Sequence, residues 1–218
     1  MASRINIGCG QTPIQGWRNF DNSFSLRLSK IPLLPEFLHK IYFLESAQYQ
    51  FIRFCSDNNI EYGNVLGGLP VQNQSVEVLY SSHMLFLLDR DEADKFCKEA
   101  FRVLCRGGII RLAVPDIKKL IDRYNESGDV DALLESTLLC KPRPKSLAQK
   151  LSYLLLGPRN NNQWLYDGKS IARLLQKHGF IKTEVMSSGR TRISGHEPLN
   201  LYERAPGSIY VEAEKPND

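Results

Sequence analysis

The chain has 218 residues, of which 42% are hydrophobic and 24% are charged. This composition is that of a globular protein of about one domain and excludes a disordered or fibrous chain. The net charge of +4 is small and is not gathered into a basic stripe with interleaved aromatic residues, so we expect no nucleic-acid partner. One basic cluster, Lys141-Pro-Arg143-Pro-Lys145, allows two interpretations: a solvated, proline-stiffened connection, or a peripheral contact with an anionic acceptor or membrane surface.

The number and spacing of the cysteines indicate free thiols. There are five, with no Cys-x-x-Cys pair and no histidine at ligand spacing, which argues against structural zinc and against a disulfide framework; they are Cys9, Cys55, Cys97, Cys105 and Cys140. The start of the chain has no long apolar segment of a signal peptide, and the apolar run around Leu154 is far shorter than the roughly 20 residues of a spanning helix. We therefore expect a cytoplasmic protein with no transmembrane segment and no metal.

The first elements in chain order are two short strands that end in polar turns. Residues 4–7 lead into Gly8-Cys9-Gly10, and residues 17–20 lead into Asp21. Residues 24–59 interrupt the strand pattern as a helical insertion, with helices expected over 35–44 and 47–55. Strands are predicted again over 60–62 and 76–80.

The second half begins with a strongly amphipathic helix. It carries apolar residues from 93 to 104, is capped by Asp89 with Glu92, and is expected to stop at Gly107-Gly108. An apolar strand follows over 109–114. Asp116 then opens a helix to residue 124, and helical stretches over 129–139 and 146–156 form a second insertion or lid, residues 125–163.

The last elements are a helix over 169–178 and strands over 181–186 and 208–213. Strands that alternate with helices predict an α/β fold, a Rossmann-like, mostly parallel sheet covered on both faces, in a single domain over 1–218. In such a sheet the ligand lies beyond the carboxyl ends of the strands, and the turn after the first strand is glycine-rich.

Gly8-Cys9-Gly10 occupies that first turn. A dinucleotide site favours a longer Gly-x-Gly-x-x-Gly run, whereas Pro13 stands here in place of the third glycine. S-adenosylmethionine carries no phosphate, so the shorter motif favours it over NAD. Asp21 is placed to accept the ribose hydroxyls, although it follows Gly10 by eleven residues where about 20 is usual. A plain tight turn and a loop-capping Asp remain the structural alternatives.

Together these residues resemble the class I S-adenosylmethionine-dependent methyltransferases, in particular small ones encoded among polysaccharide-biosynthesis genes. The resemblance runs nearly end to end, and its carriers are Ile5-Asn-Ile-Gly-Cys-Gly10, Gly16-Trp-Arg-Asn-Phe-Asp21, Leu69-Pro70, Tyr80-Ser-Ser-His-Met-Leu85, Arg102-Val-Leu104 with Gly107-Gly108, Arg111-Leu-Ala-Val-Pro-Asp116, Gln163-Trp-Leu-Tyr-Asp167 and Ile209-Tyr-Val-Glu-Ala213. It implies a seven-stranded sheet whose last strand is antiparallel, with S-adenosylmethionine as the cofactor.

The resemblance also implies positions for the cofactor and marks departures. The cofactor set is Gly8, Cys9 and Gly10 at the methionine part and ribose, Asp21 at the ribose hydroxyls, Asn64 and Val65 at the adenine, and Ser81, Ser82 and His83 after the fourth strand. Asn64 replaces a usual acid but keeps a carbonyl acceptor. Ionisable groups of relatives are replaced by Phe86 and Leu87 and by Asn160-Asn-Asn162, and Arg190 stands where an acid is expected.

The acceptor side rests on fewer residues. A hydroxyl acceptor needs a base, for which His83 is the first candidate and Asp116 the second, with hydrogen bonding to backbone and helix capping as their structural alternatives. Trp164 and Tyr166 are candidates for walls of a sugar site, or for core packing. Arg190 and Arg192 are candidates for contact with an anionic acceptor group, or for a solvated surface.

Three functions stay open from the sequence. The first is a methyltransferase acting on a small or saccharide-like acceptor, by O-methylation in glycan or cell-surface polysaccharide biosynthesis. The second is an S-adenosylmethionine-binding module of the same fold with lost or altered catalysis. The third is an NAD-type oxidoreductase, disfavoured by the missing third glycine and the short spacing to Asp21.

Overall fold

The computed structural model describes residues 3–41, 43–44, 46–137 and 162–217. Its centre is a seven-stranded sheet with the order β3-β2-β1-β4-β5-β7-β6. The strands are β1 (Ser3–Ile7), β2 (Arg18–Asp21), β3 (Ile60–Tyr62), β4 (Val76–Ser82), β5 (Leu104–Pro115), β6 (Ile181–Met186) and β7 (Ser208–Glu214). The helices are α1 (Phe24–Leu28), α2 (Leu34–Lys40), α3 (Ser46–Asp57), α4 (Arg90–Val103), α5 (Ile117–Ser127), α6 (Val130–Thr137) and α7 (Gly168–Lys177).

The sheet is mostly parallel, and β7 is its antiparallel member. β7 pairs with β5 from Ile109↔Glu214 to Pro115↔Ser208 and with β6 on its other side. The parallel strands β1, β2, β4 and β5 therefore end at the same edge, which is also the edge where β7 begins. The predicted α/β sheet is confirmed, and its polar turns meet along this edge.

Local capping signals set the starts of α4 and α5. Asp89 and Glu92 form a capping box at the start of α4, and Asp116 caps α5 by accepting from the amide of Lys118. The apolar residues of α4 and α7 pack with the strands in the largest core cluster. Both caps agree with the sequence prediction because a cap is encoded within about four residues.

The end of α4 differs from the prediction. The helix ends at Val103, before Gly107-Gly108, and residues from Leu104 onward already belong to β5, with an irregular register between Val76 and Val78 of β4. The ammonium of Lys215 caps this end by donating to the carbonyls of Phe101 and Leu104, at 2.7 and 2.8 Å. Lys215 lies more than 100 positions after these carbonyls in the sequence, so the local pattern of α4 does not reveal the contact.

The connection from β1 to β2 contains no helix. The buried side chain of Asn19 accepts from the amide of Ile14 at 2.7 Å and donates to the carbonyls of Ile14 and Trp17, at 3.0 Å each. Asn6 donates to Asn19 and to the carbonyl of Thr12. The two amides thus satisfy loop backbone groups that a crossover helix would satisfy internally.

Among the described residues, the other sheet face is covered by the segment 187–207 together with Ile14 and Trp17. Under it lies a fully buried ion pair, Arg111 on β5 and Glu212 on β7, with Nη1 and Oε1 2.6 Å apart. Glu212 also accepts from the hydroxyl of Thr191 and the amide of Arg192, at 2.5 and 2.9 Å. The segment is therefore held to the sheet by buried polar contacts as well as by apolar packing.

Residues 24–59 contain α1, α2 and α3. α2 begins one residue before the predicted helix 35–44 and ends four residues before its end, and α3 extends beyond both ends of the predicted helix 47–55. α1 was not predicted. In the second insertion, α6 lies within the predicted 129–139 stretch. The predicted helix over 146–156, the cluster Lys141 to Lys145, and Asn160-Asn161 fall outside the described residues. The division into one domain with insertions over 24–59 and 125–163 stays a prediction.

Candidate functional site

The first turn is shaped by its backbone. The amides of Gly8 and Cys9 both donate to the carbonyl of Phe20, at 2.8 and 3.1 Å. Gly8 and Gly10 have φ values of +67° and +50°, in the left-handed region that glycine adopts without strain. A Cβ on Gly8 would lie 2.6 Å from Cγ of Met84. Only a glycine fits this position without displacing Met84, so backbone and Met84 meet at van der Waals contact at this edge.

Asp21 fixes the turn from the neighbouring strand. Its carboxylate accepts from the amide of Gly10 at 3.1 Å and from the amide of Ser23 at 2.7 Å. The side chain is largely buried, and a carboxylate has about four acceptor positions. Asp21 therefore orders the turn and retains acceptor capacity for hydroxyl groups.

A cavity of about 490 Å³ opens at the same edge, within the range of small-molecule sites. One part of its wall is apolar and another carries polar groups; the lining residues are Ile7, Gly8, Asn22, Gly63, Val65, Leu66, Met84, Leu87, Leu88, Asp89, Glu92 and Gln163. Of the predicted cofactor residues, Gly8 and Val65 line it. The capping pair Asp89 and Glu92 lines it too, which the sequence indicated only as a helix start.

The loop after β3 is held in place by α4. Asn64 accepts from the amide of Leu66 at 3.0 Å through its carboxamide oxygen and forms a bridge with Gly68. Glu99 accepts from the amide of Leu69 at 2.6 Å, and Arg102 donates to the carbonyl of Val71 at 3.0 Å. The side chain of Asn64 is thus partly used inside the loop, and Gly63, Val65 and Leu66 form the cavity wall.

The two serines at the end of β4 differ in their partners. The hydroxyl of Ser81 donates to the carbonyl of Ile7 at 2.9 Å and ties β4 to β1. The hydroxyl of Ser82 is buried and has no hydrogen-bond partner among the described residues. A buried polar group without a partner is unfavourable, and Ser82 is not among the residues that line the two cavities.

His83 follows Ser82 in a left-handed conformation, with φ of +52°. Its Nε2 lies 2.8 Å from the hydroxyl of Ser208, which itself donates to the carbonyl of Arg204 at 3.1 Å. A hydroxyl has one proton, so Nε2–H of His83 is the donor to Ser208, and Nδ1 keeps the free lone pair. Burial, followed by the charge of Arg204, lowers the pKa of His83 to about 4. The ring is therefore neutral near pH 7 and is a weak base.

Asp116 contacts the same stretch of chain as His83. Besides capping α5, it donates its own amide to the carbonyl of Gly207 at 3.1 Å. Lys119 donates to the carbonyls of Pro206 and Ser208. The structure thus brings both predicted catalytic residues to the turn 204–208, whose role the sequence did not indicate because the contacts join residues about 90 or more positions apart.

The predicted aromatic pair is divided between surface and core. Trp164 is 43% exposed and lies 4.9 Å from the guanidinium of Arg90. Trp164 and Arg90 line a second cavity of about 300 Å³ together with Arg173 and Lys177. Tyr166 is fully buried in the largest core cluster, and burial raises its pKa to about 12. Only Trp164 presents an aromatic face to solvent.

The predicted anion-binding arginines lie on the segment 187–207. The amide of Arg192 donates to Glu212, and its Nε lies 3.6 Å from the same carboxylate oxygen. The carbonyl of Arg190 accepts from Arg111 at 2.9 Å. These contacts hold the segment to the sheet, away from the residues that line the two cavities.

In the part of the chain that the structure describes, no cluster of three or more His, Cys, Asp or Glu side chains suits a metal ion. Cys9, Cys55, Cys97 and Cys105 are free thiols there. None of the described helices is long and apolar enough to cross a bilayer.

No protein-family model and no curated protein sequence matches the chain. Solved structures do. An S-adenosylmethionine-dependent methyltransferase of Methanosarcina mazei is similar in structure, with a TM-score of 0.53 and 14% sequence identity. The match covers 100% of this chain and 93% of that one. A second such methyltransferase, of Thermotoga maritima, is 13% identical with a TM-score of 0.50, over 99% of this chain and 83% of that one. The chain therefore has the fold of these S-adenosylmethionine-dependent methyltransferases.

Proposed function

We propose that the chain binds S-adenosylmethionine in the 490 Å³ cavity and transfers its methyl group to a small or saccharide-like acceptor. The observation that carries the proposal is the turn Gly8-Cys9-Gly10. The turn lies at the edge of the cavity. Gly8 has a left-handed backbone conformation and packs so closely on Met84 that a side chain at this position would displace it. The fold similarity to two methyltransferases supports the same assignment.

The residues present fit this cofactor. Asp21 would accept the ribose hydroxyls, the turn would approach the methionine part, and Val65 with Leu66 would pack on the adenine. Asp89 and Glu92 add negative charge to the wall, which suits a cationic sulfonium ligand and opposes a dinucleotide with its pyrophosphate. When bound, the cofactor supplies an electrophilic methyl group.

On the acceptor side, the chain would align a hydroxyl and take up its proton. His83 keeps Nδ1 free while Ser208 holds its other nitrogen, and the amide of Asp116 bonds to the same turn at Gly207. The exposed ring of Trp164 offers a face for a sugar ring. We accordingly propose O-methylation in glycan or cell-surface polysaccharide biosynthesis by a cytoplasmic enzyme, consistent with its free thiols.

A second candidate is a module that binds S-adenosylmethionine without turnover. Two observations favour it: the pKa of His83 is lowered to about 4, and the cavity wall beside it is formed by Met84, Leu87 and Leu88. A base with so low a pKa accepts a proton poorly at neutral pH. An apolar wall offers little to orient a hydroxyl.

Titration calorimetry tests the shared part of both candidates. We expect S-adenosylmethionine and S-adenosylhomocysteine to bind and NAD not to bind. Asp21→Asn should weaken binding about tenfold or more, since one charge-assisted acceptor contributes on the order of 1.5–3 kcal/mol. Binding of NAD in preference to S-adenosylmethionine would refute the cofactor assignment.

A labelled-methyl assay separates the two candidates. Wild-type protein is incubated with S-adenosylmethionine and cell-envelope glycans or nucleotide sugars. We expect transfer that falls at least about a hundredfold in His83→Asn, the usual range for loss of a general base. Asparagine is chosen because it tolerates the left-handed conformation of position 83. Cofactor binding with no transfer to any acceptor would favour the binding module.

A further inference from the structure

An apolar stripe lies on the solvent side of the helical insertion. Leu33, Phe37 and Ile41 are 79%, 58% and 53% exposed, and Ile31 is 47% exposed. The amides of Phe37 and Ile41 donate to the carbonyls four residues earlier, each at 3.1 Å, so these side chains follow one another along one helical face. Leu33 is the most exposed large apolar side chain among the described residues. A contiguous apolar surface of this kind marks an interaction site.

The exposure of the stripe does not come from a loosely attached helix. On a neighbouring side of α2, about 100° around the helix from the stripe, Leu34 and Leu38 pack against a cluster formed by Leu28, Leu44 and Ile52, and Pro35 is buried. The helix is therefore anchored through one apolar side and presents a second apolar side to solvent.

The charges around the stripe are mainly positive. Residues 24–41 carry Arg27, Lys30 and Lys40 and one carboxylate, Glu36; all four are exposed. Exposed apolar side chains flanked by basic ones are typical of helices that lie in the headgroup region of a bilayer. Anionic headgroups would neutralise these cations.

A second copy of the chain fits the stripe less well. A twofold contact through the stripe would bring Lys30 and Lys40 of one copy toward the same basic surface of the other, and like charges that face each other oppose association. The charge pattern therefore favours an anionic lipid surface over self-association.

We propose that α2 docks on the surface of an anionic lipid bilayer. Leu33, Phe37 and Ile41 enter the boundary between headgroups and acyl chains, and Lys30 and Lys40 contact the headgroups. The helix lies along the membrane plane and does not cross it. This contact does not depend on the activity of the cavity.

Vesicle co-sedimentation tests the proposal with the full chain. We expect wild-type protein to bind vesicles of phosphatidylcholine mixed with phosphatidylglycerol, to bind pure phosphatidylcholine weakly, and to dissociate as salt is raised. Leu33→Asp should lower the partition coefficient about tenfold or more, because it replaces an inserted apolar group by an anion. Lys40→Gln should lower it about fivefold, the contribution of one basic residue near an anionic surface.

The variants are chosen to stay folded. Leu33 has φ of +61° at the N-cap of α2, where aspartate is better suited than leucine, so Leu33→Asp should not destabilise the fold. The matched control is Val130→Asp, at a 51% exposed apolar position on α6, which should bind like wild type. Three results would each overturn the proposal: no binding of wild type, equal losses in Leu33→Asp and Val130→Asp, or a dimer that Leu33→Asp dissociates.

Discussion

Gly8→Ala should disturb the proposed cofactor site more than any other single methyl added to the first turn. The left-handed backbone at Gly8, with φ of +67°, costs an alanine about 1–2 kcal/mol. The new Cβ would also lie 2.6 Å from Cγ and 2.9 Å from Cβ of Met84. Met84 must shift, and overpacking of this kind costs about 1–3 kcal/mol. We expect a total loss of about 2–5 kcal/mol in the free energy of unfolding, measured by urea denaturation.

The same change should weaken S-adenosylmethionine binding in calorimetry at least tenfold, about 1.4 kcal/mol, because Met84 lines the cavity. Gly16→Ala is the matched control, since Gly16 has φ of +78° and nothing within 4 Å of its added Cβ; it should lose only the backbone contribution and keep its affinity. Met84→Ala should cost less stability in the Gly8→Ala background than in wild type, because it removes the 2.6 Å contact with Cγ and leaves the 2.9 Å contact with Cβ. If Gly8→Ala and Gly16→Ala prove equally stable and bind equally well, the steric argument is wrong.

Three further predictions concern buried polar groups. The pKa of His83 is lowered to about 4, so below about pH 6.5 the histidine takes up a proton in the unfolded chain but not in the folded one. Wild type should therefore lose about 2 kcal/mol of stability between pH 7 and pH 5. Urea titrations at both pH values should show a correspondingly smaller loss for His83→Asn. Glu212→Gln should destabilise the fold by about 3–5 kcal/mol because Arg111 is left buried without its counter-ion, and a smaller penalty in the double variant with Arg111→Met would confirm the coupling. Asn19→Ala should cost about 2–4 kcal/mol for its lost hydrogen bonds and speed amide exchange in residues 12–17; unchanged exchange would contradict its role as a loop clamp.

What the sequence predicted was encoded locally. The capping box of Asp89 with Glu92 and the cap at Asp116 are each contained in one turn of chain, and the glycines of the first turn follow directly on a strand. Lys215, which caps the end of α4, contacts carbonyls more than 100 positions earlier. Sequence periodicity cannot predict a hydrogen bond between residues so far apart in the chain.

The candidate site follows the same division. Gly8 and Asp21 could be recognised from their spacing. Met84 lies against Gly8 and Ser208 fixes His83 only because β1 and β4 end, and β7 begins, at one edge. The sequence also could not separate Trp164 from Tyr166, since burial of one and exposure of the other depend on the packing of α4 and α7.

The two sides of the site are built in different ways, which bears on how activity could be lost. On the cofactor side, the first turn is ordered by backbone amides that donate to the carbonyl of Phe20 and by the Gly10 amide on Asp21, so few side chains are needed to keep it. On the acceptor side, His83 and Asp116 depend on the turn 204–208, which ends the segment held over the sheet by the Arg111–Glu212 pair. If the proposed methyl transfer depends on these residues, a change in that segment removes it while binding persists. We expect Glu212→Gln, where it still folds, to lower methyl transfer more than cofactor affinity.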